Sequence, residues 1–221
     1  MPTYYAAVEA FDPEGQSDED DLDYGGEARF FVLQADSLSE ALVTLAGSVQ
    51  ANGLRLDRVL HAGDTEHFDP EVVPFEVDLA GMIAAASETG EICVSEAHVF
   101  EPDTTDPAAS GVYACCINGF DMEWADEDEG DYAGHYQLVV IKAETATQAL
   151  NMLVQDFDAE DIALFSLEGL VEAAAFPFDG YDFEFEEEDP VADVLEQGGI
   201  IVSNAYAYPT ESVEQVRRLD S

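Results

Sequence analysis

Two stretches of this chain place apolar residues at the spacing of a helix. Leu38, Ala41, Leu42, Leu45, Ala46 and Val49 form one stripe, and Ala146, Ala149, Leu150, Leu153, Val154 and Phe157 form another. A stripe of that kind predicts a helix with one buried face. Each stripe starts behind a capping box, Ser37-x-x-Glu40 in the first and Thr145-x-x-Gln148 in the second. There the hydroxyl accepts from a free backbone N–H and the longer side chain reaches back. Two shorter helices are also predicted. One is capped by Asp78, carries Leu79, Met82, Ile83 and Ala86, and stops at Gly90. The other starts at Asp189-Pro190, carries Val191, Val194 and Leu195, and stops at Gly198. Strand-like runs fill the intervals: Tyr4–Val8, Phe30–Ala35, Leu54–Leu60 and Ile92–Phe100, then Val112–Ile117, Tyr136–Ala143, Ile162–Leu167 and Ile200–Tyr208. Further short strands are expected at Val73–Val77 and Tyr181–Phe185.

The elements come in two sets because the chain repeats itself. At an offset of 108, DEDDLDYGG from Asp18 falls on DEDEGDYAG from Asp126, and FVLQADSLSEALVTL from Phe31 falls on VVIKAETATQALNML from Val139. At the same offset GEICVSEAHVF from Gly90 falls on GGIIVSNAYAY from Gly198, and Tyr5-Ala6 falls on Tyr113-Ala114. One offset held over about a hundred residues reads as an internal repeat. The expected organisation is a first α+β repeat over 1–102, a linker over 103–110, a second repeat over 111–210 and a tail over 211–221. The expected fold class is α+β, a tandem duplication of a β-(acidic loop)-βαβ(β)αβ unit. The last six elements of each unit match a ferredoxin-like order, and the two copies are expected to pack as a pseudo-symmetric pair. A continuous sheet through both is the other arrangement.

Charge changes this picture more than composition does. The chain has 221 residues and 47% hydrophobic residues, enough for a real core. Against that stand 50 acidic residues and 6 basic ones, a formal net charge of −44. The cations are Arg29, Arg55, Arg58, Lys142, Arg217 and Arg218. Phosphate contacts need lysine and arginine, so direct binding of nucleic acid or of a nucleotide cofactor is not expected. No cofactor is expected from the motifs either. The N-terminus lacks the pattern of a signal peptide and no run has the length of a membrane helix. Cys93, Cys115 and Cys116 have no zinc spacing and read as free thiols in a reducing compartment, so a cytoplasmic protein is expected.

The candidate chemistry lies in two acidic loops. The first holds Asp18, Glu19, Asp20, Asp21 and Asp23, followed by Tyr24; the second holds Asp126, Glu127, Asp128, Glu129 and Asp131, followed by Tyr132. Each runs into a Tyr-x-Gly. Carboxylates packed so densely repel one another and give no folding benefit. Rows of them imitate the phosphates of nucleic acid and fit a basic cleft. The expected function is therefore an acidic binding protein or inhibitor for a basic partner: a nuclease-type toxin, met by an immunity protein, or another nucleic-acid-binding protein, met by a nucleic-acid mimic. Tyr24, Trp124 and Tyr132 are the candidate anchors, and Glu186, Glu187 and Glu188 a second acidic patch. Two other readings stay open. One is adaptation to high salt. The other is a calcium or manganese site on Asp18, Asp20 and Asp23 or on Asp126, Asp128 and Asp131, used for binding or metal-dependent catalysis. The ligand order of an EF-hand is not met. No catalytic residue is picked out, and His61, His67, His98 and His135 have no spacing partners. Oligomeric state is not legible in the sequence.

Overall fold

The computed structural model describes residues 1–12, 26–100, 111–121 and 132–209. The acidic loops, the linker and the tail lie outside the described residues. The first half contains β1 (Thr3–Phe11), β2 (Gly26–Gln34), α1 (Leu38–Ala51), β3 (Arg55–Asp64), α2 (Leu79–Thr89), β4 (Cys93–Val94) and β5 (His98–Phe100). The second contains β6 (Val112–Asp121), β7 (Tyr132–Lys142), α3 (Ala146–Ala159), β8 (Ile162–Glu172), α4 (Pro190–Gln197), β9 (Ile200–Val202) and β10 (Tyr206–Pro209). Two single 3₁₀ turns follow β3 and two follow β8. The molecule is thus a mixed α+β protein, with four helices among the described residues and one large antiparallel sheet.

Local chemistry starts the helices where the sequence placed them. The Ser37 hydroxyl accepts from Glu40 N–H at 3.2 Å and Thr145 from Gln148 N–H at 3.1 Å. In return the Glu40 carboxylate accepts from Asp36 N–H at 2.7 Å and the Gln148 amide oxygen from Glu144 N–H at 2.8 Å. Asp78 and Asp189 cap α2 and α4 by accepting from Gly81 and Ala192. These bonds satisfy N–H groups that a helix start otherwise leaves open.

The sheet runs β10-β7-β6-β8-β3-β1-β2-β4, with β5 on β2 and β9 on β7. It is continuous across both halves, so the picture of two separate packed sheets is replaced by the other arrangement. The join is β3 against β8. Val59 pairs with Leu170 and Ala62 with Leu167, and the 108 offset exchanges these two pairs. An approximate two-fold axis therefore crosses the sheet between Leu60-His61 and Glu168-Gly169.

Strand register corrects one part of the sequence alignment. Tyr4 faces Leu33 and Tyr5 faces Val32, whereas Tyr113 faces Ile141 and Ala114 faces Val140. Tyr4, not Tyr5, thus stands where Tyr113 stands, and Ala114 takes the place of Tyr5. The acidic loop of the second half is one residue shorter, and Phe11-Asp12 matches Phe120-Asp121.

Three layers result. Alternate strand residues point to opposite faces. One face carries α1 and α3 over a single core that takes Leu33, Leu45, Val59, Ile117, Leu153 and Leu167 from both halves. The opposite face carries α2 over Tyr5, Phe30 and Val32, and separately α4 over Leu138, Val140 and Phe176. Bulges keep Leu56, Val59 and Ala62 on one face at a spacing of three, as they do Leu164, Leu167 and Leu170. A ferredoxin-like unit has both helices on one face, and here α1 and α2 lie on opposite faces. The strands expected at Val73–Val77 and Tyr181–Phe185 are not formed, because β1 fills the place between β2 and β3 that such a strand takes. Both segments instead cross the α2 and α4 face, with Phe75 on one cluster and Tyr181, Phe183 and Phe185 on the other.

Candidate functional site

The acidic loops are hairpin connections, one between β1 and β2 and one between β6 and β7. Their carboxylates, together with Tyr24 and Trp124, lie outside the described residues, but the strand ends that bound them are described. β1 is antiparallel to β3, β3 to β8 and β8 to β6. β1 and β6 therefore run in opposite directions, and the two loops leave from opposite ends of the sheet. A nine-residue strand spans about 30 Å, which sets the scale of their separation.

Each loop returns to the sheet through a glycine that no other residue replaces easily. Gly26 and Gly134 have φ of 147° and 151°. A Cβ there would meet the ring of Phe100 in the first half and of Tyr208 in the second. The Tyr-x-Gly of both halves ends in this backbone-on-ring contact. Tyr132, expected as an anchor at the interface, is buried. Its hydroxyl accepts from Asp121 N–H at 3.0 Å and lies 2.6 Å from His135 Nδ1, and its ring stacks on Phe120. The hydroxyl and Nδ1 share one hydrogen bond. Burial lowers the His135 pKa from the ordinary 6.5, against a smaller raising effect of Asp121. The loop base is braced from within.

Glu186 and Glu188 are exposed and Glu187 is half-buried, in the run that leads to the α4 cap at Asp189. Acid there suits the positive end of a helix. It continues a wider acidic surface. Glu66, Asp69, Glu71, Glu76 and Asp78 point outward from the segment after β3, and Asp179, Asp182, Glu184 and Asp189 from the segment after β8. The four described cations are engaged internally. Arg29 pairs with Glu27, Arg58 with Glu9 at 2.9 Å, Lys142 donates to the Leu195 carbonyl at the end of α4, and Arg55 sits 5.0 Å over the Phe11 ring.

On the two-fold axis, the α2 and α4 face opens into a cleft of about 350 Å³. Leu60, His61 and Val72 come from one half, and Glu168, Val171, Phe176, Pro177 and Tyr181 from the other. Its polar centre is a chain of three side chains. Tyr5 Oη is 2.7 Å from His61 Nδ1, and His61 Nε2 is 3.7 Å from Glu168 Oε1. Burial, then the charge of Glu168, raises the Tyr5 pKa, so the phenol stays protonated and shares a hydrogen bond with Nδ1. Nε2 faces the carboxylate. Sequence spacing could not reveal this chain, because its members come from three strands of both halves. The axis also gathers departures from the repeat: Tyr5 stands opposite Ala114, His61 opposite Gly169, and Glu168 opposite Leu60.

The arrangement is not a nucleophile relay, since Tyr5 is 1% exposed beneath Phe30 and Phe68. Cys115 and Cys116 are buried free thiols that point to opposite faces of β6. Burial pushes the Cys116 thiol up to about 12, which leaves it unreactive. Among the described residues no group of three or more His, Cys, Asp and Glu side chains could hold a metal ion, and no helix is long and apolar enough to cross a membrane. Comparison with protein-family models, curated proteins and solved structures finds no match for the chain.

Proposed function

We propose that this chain is an acidic binding protein that neutralises a basic protein, of the kind that handles nucleic acid, in a reducing cytoplasm. The carrying observation is the charge distribution: a net charge of −44 whose four described cations are each engaged inside the protein. The outward carboxylates are left to a partner's lysines and arginines. Screening in about 0.15 M salt acts over roughly 8 Å, so clustered carboxylates still act together at a contact. Electrostatic complementarity of this kind speeds association and makes it salt-sensitive.

We also propose that the chain is a tandem duplication. The matched caps, the matched order of elements and the exchange of pairs across β3 and β8 support it. Two copies of one loop at opposite ends of the sheet then make two binding sites, each for one partner molecule. The test is capture of partners by the intact chain from its native lysate in about 0.15 M salt and near 1 M, where screening shortens to roughly 3 Å. One basic protein retained at low salt and released at high salt, at two per chain, is the expected outcome. A partner that resists 1 M salt, or no retained protein from a folded bait, overturns the reading.

A further inference from the structure

We propose that the cleft on the two-fold axis is a receptor for a single guanidinium group, the side chain of an arginine presented by the basic partner. This deepens the function proposed above and rests on it for the identity of the bearer, but not for the chemistry of the cleft.

The argument starts from Glu168. Its side chain is 40% exposed and lines a cleft whose other walls are mainly apolar and aromatic. The neighbours that feel its charge are Tyr5, Cys116, Tyr136 and Tyr181, and it raises the pKa of each, second to burial or alongside other charges. None of these four groups supplies a positive charge; the imidazole of His61, 3.7 Å from the carboxylate, is the neighbour that carries one when protonated. The first half has Leu60 at the equivalent position, so the fold accepts an apolar residue there. A carboxylate in that setting, where a leucine serves the twin position, marks a place built for a cation.

The walls say which cation. Tyr181 stacks on Phe176 with ring centroids 5.4 Å apart at 14°, which fixes the ring beside the carboxylate. A flat cation lying on an aromatic face while its N–H fork meets a carboxylate is the geometry a guanidinium takes and an ammonium does not. Leu60, Val72 and Pro177 offer apolar contact to the aliphatic stem. His61, held at Nδ1 by Tyr5, turns its other nitrogen toward the carboxylate at 3.7 Å. A metal ion fits poorly, because one carboxylate and one imidazole fall short of a ligand set.

The test titrates the intact chain with the peptide acetyl-Gly-Arg-Gly-amide and follows backbone amide shifts by NMR. The controls are the same peptide with lysine or with neutral citrulline. Saturable shifts centred on Leu60, Glu168, Gly169 and Tyr181 are expected, at least tenfold weaker binding for citrulline and at least threefold weaker for lysine. Glu168→Gln is expected to weaken the arginine peptide at least fivefold, and Glu160→Gln, exposed at the C-terminal end of α3 and outside the cleft, to leave it unchanged. Glu168→Leu, which copies Leu60, secures a folded variant with the same loss. Shifts spread over the acidic surface without saturation, equal effects of the two Gln variants, or lysine as good as arginine overturn the proposal. The two claims fail separately: lysate capture that persists with a silent cleft sinks only the receptor, and a cleft that binds the peptide while no basic protein is captured sinks only the partner.

Discussion

The two faces of the sheet have been built by different rules. On the α1 and α3 face, both halves contribute to one core, and the equivalent residues Leu45 and Leu153 are both fully buried in it. The helices there carry little charge: Glu40 alone in α1, and Asp156 and Asp158 in α3. On the α2 and α4 face, two clusters stay apart, acid points outward, and the axis between them holds the residues that break the repeat. The equivalence of the two halves survives where they must pack together, and it lapses on the second face, where a cleft opens.

The strongest way to break this comparison is to damage the shared core. Leu153→Ala is expected to cost about 3 kcal/mol, the range for a buried leucine whose cavity only partly closes. Because the core is common, urea unfolding followed by circular dichroism is expected to remain one transition at a lower midpoint. Two separated transitions would mean that the halves are independent. Tyr5→Phe acts on the second face. It leaves His61 Nδ1 without its hydrogen-bond partner in Tyr5, in a partly buried site, and is expected to cost about 1–2 kcal/mol, read from the same unfolding curves. No loss would show that the chain from Tyr5 to Glu168 is not formed.

Thr145→Ala removes the α3 cap and is expected to cost about 1 kcal/mol, with Ser37→Ala similar in α1; a marked difference would break the equivalence of the capped face. A pH effect should be smaller still. Burial holds the His135 imidazole below its ordinary value of 6.5. The unfolded chain therefore takes up the proton first as pH falls. The stability tied to neutral His135 is complete above about 6.5 and is lost below it, toward the lower folded value. His135→Gln is expected to flatten the fall in melting temperature between about pH 7 and pH 5, and an unchanged slope would contradict the buried neutral imidazole.

How much could be read in advance divides along the same line. Helices and caps were legible because their signals are local: Ser37 and Glu40, or Thr145 and Gln148, lie within one turn. The alignment of the two halves at one offset drew on similarity along the whole chain, and in the first strand it misled. There the identity of Tyr5-Ala6 with Tyr113-Ala114 pointed to the wrong partner. The pair Phe11-Asp12 and Phe120-Asp121 carried the right one, masked by a one-residue difference in loop length. The segments Val73–Val77 and Tyr181–Phe185 alternate like strands, but alternation only says that one side is buried, and here it is buried against a sheet face. The cleft was not legible, because His61 and Glu168 meet only when β3 and β8 pair, and no spacing along the chain encodes that pairing. The acidic loops stood out by composition alone, yet their placement at opposite ends of the sheet follows from strand direction.

The central claim is that the loop acid serves a basic partner. It is tested most directly by calorimetric titration of the captured partner against the intact chain and against a variant with Asp18→Asn, Glu19→Gln, Asp20→Asn and Asp21→Asn together. The account predicts that the variant folds with equal or higher stability and binds one partner molecule instead of two, the remaining site keeping its salt dependence. Two partner molecules bound by that variant with unchanged affinity would contradict it.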